Sequence, residues 1–177
     1  MDLRRISTNK RSHLRPLATG ALVAVALLAL TGPTPLLAQD MPRVKAGLEL
    51  WKSSGCPDCH GSFADGDKQR DEAPTGANLR TARLNGAELK TTISCGKPGG
   101  AGMPAFDEGA YTIRPCYGRA LGPPPDNVYP TSRTLTPEQI DTVIAYLQAR
   151  VIGRGRITRD ECLFYFDRNE DECEDYK

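Results

Sequence analysis

Aromatic side chains are scarce in this sequence, at 6% of its 177 residues, with a single Trp. Histidine is rarer still, with two residues, whereas cysteine occurs six times. A domain of this length needs large apolar side chains in its interior, so the shortage of aromatics raises the question of what else fills it. The remaining composition, 39% hydrophobic and 25% charged with a net charge of +1, is close to the globular average and excludes a disordered or collagen-like chain.

No hydrophobic run is long enough to span a bilayer. The longest, residues 21–30, has ten residues, whereas a transmembrane helix needs about 20. A basic segment precedes this run, and a Gly-Pro-rich stretch and Leu36-Leu37-Ala38 follow it, which is the pattern of a secretory signal peptide cleaved before Gln39. We therefore expect residues 1–38 to be removed and the mature protein to be soluble and periplasmic. An uncleaved membrane anchor is the alternative.

Removal of the signal changes the charge and the histidine count. Residues 39–177 contain 18 Lys and Arg against 21 Asp and Glu, a net charge of −3, and His60 is their only histidine. A bis-histidine metal site is thereby excluded. The negative charge, without a basic and aromatic-rich surface, argues against nucleic-acid binding. All six cysteines remain, in a compartment where disulfides persist.

Apolar spacing predicts three helices separated by long loops, and hence an all-α fold. We expect these helices at residues 42–54, at 86–94 and from 137 onward. The segments between them are rich in glycine, proline or aspartate, which predicts loops over 61–84 and 96–134. The third helix has the strongest start signal, with Thr136 as N-cap, Pro137 at the first position and Gln139 completing a capping box. Its predicted buried stripe consists of Ile140, Val143, Ile144 and Leu147.

The chain ends in a charged extension, residues 151–177, after a domain predicted to span residues 39–150. Residues 160–177 carry eight acids against two bases, a local charge of −6. A basic cluster lies at the start of the extension, at Arg150, Arg154, Arg156 and Arg159. Such a two-signed surface can guide a partner protein, although a solvated charged end is the simpler interpretation.

One pentapeptide carries recognisable chemistry, Cys56-Pro57-Asp58-Cys59-His60, the CxxCH pattern of covalent haem attachment. Two thiols three positions apart at a helix end can add to the two vinyl groups on one porphyrin edge, and His60 then lies under the iron as proximal ligand. A glutaredoxin-like redox pair would need βαβ units, which the sequence does not predict. A zinc site would need a second pair of ligands, to which the other four cysteines could in principle contribute.

A candidate for the sixth iron ligand is Met103, which follows His60 by 43 residues within the Gly-Gly-Ala-Gly-Met-Pro sequence of residues 99–104. Glycines let the backbone approach a porphyrin closely, and Pro104 constrains the exit of the loop. A methionine in such a loop has no helix face to fill, which favours a ligand over core filler. The other methionine, Met41, stands near the new N-terminus. Ligation by His and Met raises the reduction potential and suits electron transfer.

Residues 42–150 resemble class I c-type cytochromes in the order of their elements. This order is a helix, CxxCH, a loop, a short helix, a Gly-rich Met-Pro loop and a terminal amphipathic helix. The resemblance implies a cytochrome c fold around one covalent haem c, held by Cys56 and Cys59, with His60 and Met103 on the iron. The haem would then supply the apolar body that the aromatic-poor interior lacks. The resemblance also implies that the first and last helices cross at small and aromatic residues, here Gly47, Trp51, Tyr146 and Leu147.

The resemblance further implies particular neighbours for the haem. In the family a proline after the haem loop offers its carbonyl to the ring N–H of the proximal histidine. Pro74 is the nearest candidate here, although its spacing to Leu79 departs from the family pattern. Arg80 and Arg83 are candidates for pairing with the haem propionates.

The four cysteines outside the motif allow three disulfide pairings. We favour the most local one, Cys95 with Cys116 and Cys162 with Cys173. The first bond would bracket the Met103 loop and hold it near the iron. The second would compact the acidic extension into a hairpin or helical turn. The other two pairings remain open.

The segment from Cys95 to Gly118 is also similar to cytochromes associated with periplasmic quinoprotein alcohol dehydrogenases. These resemblances imply a one-electron carrier, with no substrate turnover of its own, that takes electrons from a periplasmic dehydrogenase and passes them to an oxidase or another cytochrome. It would be a monomer or associated with the dehydrogenase. Three alternatives remain: a tightly bound haem subunit of a dehydrogenase or respiratory complex, a haem enzyme or sensor with an open sixth site, and a thiol–disulfide oxidoreductase.

Overall fold

Five helices and no sheet make up the computed structural model, which describes residues 40–99, 102–125, 131 and 133–176. The helices are α1 (Met41–Ser53), α2 (Cys56–His60), α3 (Gly86–Cys95), α4 (Pro137–Arg150) and α5 (Arg159–Tyr165), followed by a 3₁₀ turn at Asp171–Cys173. The predicted all-α class is confirmed for these residues. Within them, no helix combines the length and apolar character needed to cross a bilayer. The predicted signal peptide, residues 1–38, lies outside the described residues.

Three of the five helices, α3, α4 and α5, begin where side chains satisfy their first backbone N–H groups. At α4 the predicted capping box is confirmed, since Thr136 Oγ1 accepts from the Gln139 N–H at 3.3 Å and Gln139 Oε1 accepts from the Thr136 N–H at 3.0 Å. Two further boxes of the same kind start α3 and α5, and the sequence interpretation did not identify them: Asn85 with Glu88, and Thr158 with Glu161. Each cap of this kind stabilises its helix by about 1 kcal/mol.

The first and last long helices, α1 and α4, cross at Gly47 as expected. A Cβ atom at Gly47 would lie 2.7 Å from the Cβ of Tyr146, so only glycine permits this approach. One turn further along α1, the Trp51 ring packs against Tyr146 with 6.2 Å between ring centroids. The predicted apolar stripe of α4 is buried in this packing, at Ile140, Val143, Ile144 and Leu147.

Both favoured disulfides are present. Cys95, the last residue of α3, is bonded to Cys116 with 5.6 Å between Cα atoms, and Cys162 in α5 is bonded to Cys173 in the 3₁₀ turn with 5.7 Å. The second bond compacts the extension into a helical turn, as predicted. Cys56 and Cys59 remain as free thiols.

The C-terminal extension packs tightly against the loop after α2, through aromatic side chains. The ring of Phe63 in that loop lies 5.2 Å from the ring of Tyr165, 5.9 Å from that of Phe166 and 5.4 Å from that of Tyr176, measured between centroids. Tilted and edge-on aromatic pairs at such distances stabilise a fold beyond their buried area. The few aromatic residues of this chain are thus concentrated where the extension meets the domain.

Arg80, which the resemblance makes a candidate partner of a haem propionate, joins the extension to the domain. Its side chain is only 3% exposed. Its Nε donates to the Gly155 carbonyl at 2.6 Å, and its Nη2 donates to the Glu161 carboxylate at 2.7 Å. The same carboxylate accepts from the Thr158 N–H at the start of α5. The guanidinium therefore serves as a structural anchor for the extension.

Loss of this anchor should destabilise the fold. For Arg80→Leu we expect the free energy of unfolding to fall by about 3 kcal/mol, because Glu161 would keep a half-buried charge without its partner. Urea unfolding followed by circular dichroism measures this change. Arg83→Leu, at an exposed arginine three residues away, is the matched control and should stay within about 0.5 kcal/mol of the wild type. Equal losses for the two variants would contradict the anchoring role.

Candidate functional site

The CxxCH pentapeptide forms α2 in full, between two glycines with left-handed backbone, Gly55 (φ +73°) and Gly61 (φ +81°). A helical turn brings Cys56 and Cys59 to the same face, because residues three positions apart are neighbours on a helix. The two thiols are therefore presented together, on an element whose ends are set by residues that tolerate this conformation.

Neither thiol has the character of a redox-active nucleophile. Burial raises the pKa of Cys56 to about 12, and burial, together with Asp58, raises the pKa of Cys59 above its usual value. Thiol–disulfide oxidoreductases need the opposite, a cysteine whose pKa is lowered so that the thiolate is present at neutral pH. The raised pKa values disfavour that alternative.

The imidazole of His60 is oriented by the backbone of the following loop. Its Nδ1 lies 2.9 Å from the carbonyl oxygen of Ala77, which accepts the ring N–H. This tautomer leaves the lone pair of Nε2 available to a metal. The Pro74 carbonyl, expected in this role from the family pattern, is not the acceptor. The loop reaches the ring three residues later, since the Gly76 N–H donates to the Cys59 carbonyl at 2.7 Å and brings Ala77 against the imidazole.

Burial also sets the protonation of His60. It lowers the pKa of the imidazole, and the bond to Ala77 only partly opposes this effect. The neutral ring is therefore favoured near neutral pH, which is the form that ligates metals.

Met103 is held on the other side of the site by a loop that folds back onto the end of α3. The Lys97 N–H donates to the Met103 carbonyl at 2.8 Å, and the Phe106 N–H donates to the Ile93 carbonyl at 3.0 Å. The first of these bonds belongs to an isolated antiparallel bridge between Lys97 and Met103. The Met103 side chain is half-buried and lines the same cavity as the CxxCH residues.

This cavity has a volume of about 1170 Å³, above the roughly 300–1,000 Å³ of ordinary small-molecule sites. Cys56, Cys59, His60 and Met103 all lie in its wall. Most of the remaining wall is apolar and comes from α3, α4 and the loops beside them, at Leu89, Ile93, Phe106, Leu135, Val143 and Leu147. The structure therefore brings together all four residues that the sequence predicts for the site.

The cationic side chains at the cavity differ from the predicted ones. Arg70, Lys97 and Arg119 line it, whereas Arg80 and Arg83 do not. Lys97 and Arg119 belong to the segment around the Met103 loop, and no motif in the sequence distinguishes them from other surface cations. Only the folding of that segment over the cavity identifies them.

Two residues that line the cavity, Trp51 and Ser54, each have a buried polar side-chain atom. Trp51 Nε1 and Ser54 Oγ are fully buried, and within the described residues neither has a hydrogen-bond partner. Buried donors are rarely left unpaired. The Trp51 ring also lies 5.9 Å from the His60 ring, between centroids.

The available donor atoms fit a haem c. They are two paired thiols, one imidazole nitrogen and one thioether, around a large apolar space. A zinc site is disfavoured, because the other four cysteines are in disulfides and the described part of the chain has no group of three or more His, Cys, Asp and Glu residues that could hold a metal ion.

Gly76 should be irreplaceable beside His60. A Cβ atom there would lie 2.7 Å from His60 Nδ1 and 2.9 Å from the Cys59 carbonyl oxygen. We expect Gly76→Ala to lower the free energy of unfolding by about 1–3 kcal/mol through overpacking and to weaken the bond from His60 to Ala77, as seen in the imidazole nitrogen shifts by NMR. Gly122→Ala is the control, because nothing lies within 4 Å of its Cβ position. An unchanged ring environment in Gly76→Ala would contradict this account.

Comparison of the chain with protein-family models, with curated proteins and with solved structures gave no match in any of the three. The functional assignment therefore rests on the residues and geometry of the cavity.

Proposed function

We propose that this protein is an exported class I c-type cytochrome that carries one electron at a time on a single covalent haem c. The observation that supports this most directly is the shared cavity wall. Cys56, Cys59, His60 and, far along the sequence, Met103 line one large and mostly apolar cavity in the combination of donors that haem c requires.

Each residue has a distinct role in this proposal. Cys56 and Cys59 would hold the porphyrin through thioether bonds, and His60 Nε2 and the Met103 sulfur would ligate its iron. When bound, the haem iron supplies the reversible one-electron step. The protein supplies a fixed ligand geometry, through the Ala77 carbonyl on the His60 side and the Lys97 bridge on the Met103 side.

The surroundings of the cavity suit a carrier of relatively high potential. Its apolar walls exclude water, and His/Met ligation acts in the same direction. Arg70, Lys97 and Arg119 are better candidate partners for the haem propionates than Arg80 and Arg83, because they line the cavity. In this interpretation Arg80 belongs to the scaffold.

The partners follow from the compartment and the chemistry. Two disulfides and the lack of a membrane-spanning helix in the described residues are compatible with the periplasm. There the protein would accept electrons from a dehydrogenase, for example a quinoprotein, and deliver them to an oxidase or another cytochrome.

The first experiment is to express the full chain in a bacterium that exports it and attaches haem. We expect the mature protein to carry the mass of one haem and, when oxidised, to show the weak long-wavelength absorption band that reports a thioether sulfur on ferric iron. Met103→Ala should abolish this band and leave the haem attached. Met41→Ala is the matched control and should retain it, since Met41 lies on the exposed side of α1.

Two results would contradict the proposal. A mature protein without a haem adduct would exclude a c-type cytochrome. A haem protein that lacks the thioether band and binds CO readily in the ferrous state would have an open sixth site, and catalysis or sensing would replace electron transfer.

A tightly bound haem subunit of a larger dehydrogenase or respiratory complex is the second candidate. It is favoured by large apolar side chains on the segment after the Met103 loop, where Ile113 is 71% exposed and Leu121 is 56% exposed. Contiguous exposed apolar patches mark protein interfaces, whereas single exposed apolar side chains are common on free surfaces, so variants at these two positions decide between the two. A subunit should co-elute with the dehydrogenase in gel filtration of the native extract at stoichiometric ratio, and Ile113→Ser with Leu121→Ser should release it. A free carrier elutes alone, as the wild type and as the double variant.

A further inference from the structure

The end of α3 and the Met103 loop are in direct backbone contact at Gly96. Gly96 has a left-handed backbone (φ +69°), and a Cβ atom there would lie 2.5 Å from the Met103 carbonyl oxygen and 2.6 Å from the Pro104 carbonyl carbon. The next residue, Lys97, donates its N–H to the Met103 carbonyl. Any movement of residues 96–97 is therefore transmitted to Met103 without an intervening side chain.

Two tyrosines hold the contact at Gly96. Both lie in the segment that the disulfide between Cys95 and Cys116 connects to α3. The hydroxyl of Tyr111 donates to the Cys95 carbonyl at 3.0 Å, and the hydroxyl of Tyr117 donates to the Gly96 carbonyl. These carbonyls lie at the C-terminal end of α3, where no further helical turn can supply N–H donors. Two successive carbonyls are thus capped by phenols from one segment.

Both tyrosines adopt a strained backbone. Tyr111 has φ +63° and Tyr117 has φ +54°, and a left-handed conformation is unfavourable for such large side chains. Strain of this kind persists where the surrounding structure enforces it, and it is concentrated at functional positions. Here the strained residues are the two that reach the end of α3.

We propose that Tyr111 and Tyr117 are positioning residues for Met103. Their hydroxyls fix the Cys95–Gly96 carbonyls, and through the bridge at Lys97 they hold the methionine in the cavity wall. The disulfide from Cys95 to Cys116 tethers the two segments but leaves the peptide planes beyond Cys95 free to rotate, and the phenols remove this freedom. The role as an iron-ligand clamp rests on the proposed function.

The test uses Tyr117→Phe, which removes one hydroxyl from a side chain that is 53% exposed and should fold normally. Tyr111→Phe is the second variant, at a buried position. Tyr176→Phe is the matched control, because Tyr176 lies in the extension and its ring contacts Phe63.

The first readout needs no iron. Amide hydrogen exchange reports on the Lys97 N–H, which donates to the Met103 carbonyl. Loss of a hydrogen bond is worth roughly a factor of five to ten in an opening equilibrium, so we expect exchange at Lys97 to be roughly five- to tenfold faster in Tyr117→Phe and unchanged in Tyr176→Phe.

The second readout is displacement of Met103 from ferric iron by imidazole, followed through the thioether band. The apparent affinity for imidazole depends on how often Met103 leaves the iron. We therefore expect this affinity to rise by roughly five- to tenfold in Tyr117→Phe and in Tyr111→Phe. The Tyr176→Phe protein should match the wild type.

The outcomes are separable. If amide exchange at Lys97 is as slow in Tyr117→Phe and Tyr111→Phe as in Tyr176→Phe, the two tyrosines do not hold the loop, and the proposal is overturned. Faster exchange with unchanged imidazole affinity overturns the positioning role, because the loop would then be loosened without effect on Met103. A wild-type protein without the thioether band overturns the proposed function, while the exchange experiment still decides whether the tyrosines hold the loop.

Discussion

The architecture depends on enclosing a cavity of about 1170 Å³ within a chain that has only four Phe and one Trp. A wall of Leu, Ile and Val side chains keeps its dispersion contacts only if a body of matching size lies against it. Trp51, Phe106 and Tyr117 contribute to this wall, whereas Phe63, Tyr165, Phe166 and Tyr176 pack together at the contact with the extension. The fold therefore surrounds a cavity, and the ligand donor atoms in the cavity wall determine which group it can bind.

Backbone contacts hold the two sides of the site. On one side Gly76 lets the loop pass directly beside His60, so that the Ala77 carbonyl can accept the ring N–H. On the other side Gly96 lets the end of α3 touch the backbone at Met103. Hydrogen bonds between backbone groups position ligands more rigidly than long side chains do, because fewer rotatable bonds lie between the scaffold and the ligand. A fixed ligand geometry is what a carrier needs in order to change oxidation state without rearranging.

Charge is unevenly distributed between the C-terminal extension and the cavity wall. The acidic extension is bound to the domain through the buried pair of Arg80 and Glu161, so that its surface acids are held in place. The cavity wall carries the cationic side chains of Arg70, Lys97 and Arg119. In the proposed carrier, an uneven charge distribution of this kind would help to orient a partner protein.

Features that depend on local spacing were predictable from the sequence. The bounds of α1 and α3, the start of α4 with its capping box at Thr136, the two favoured disulfides and the four residues that meet in the cavity wall all follow from patterns of a few residues or from closeness along the chain. The helices α2 and α5 were not predicted. The capping boxes at Asn85 and Thr158 carry the same local signal and could have been found in the same way.

The tertiary structure decided what depends on where distant segments meet. It replaced Pro74 by Ala77 as partner of His60, assigned Arg80 to Glu161, and brought Lys97 and Arg119 to the cavity. It also directed the hydroxyls of Tyr111 and Tyr117 to the end of α3. Loops without a regular period leave the direction of their carbonyls and long side chains undetermined, and only packing against the helices resolves them.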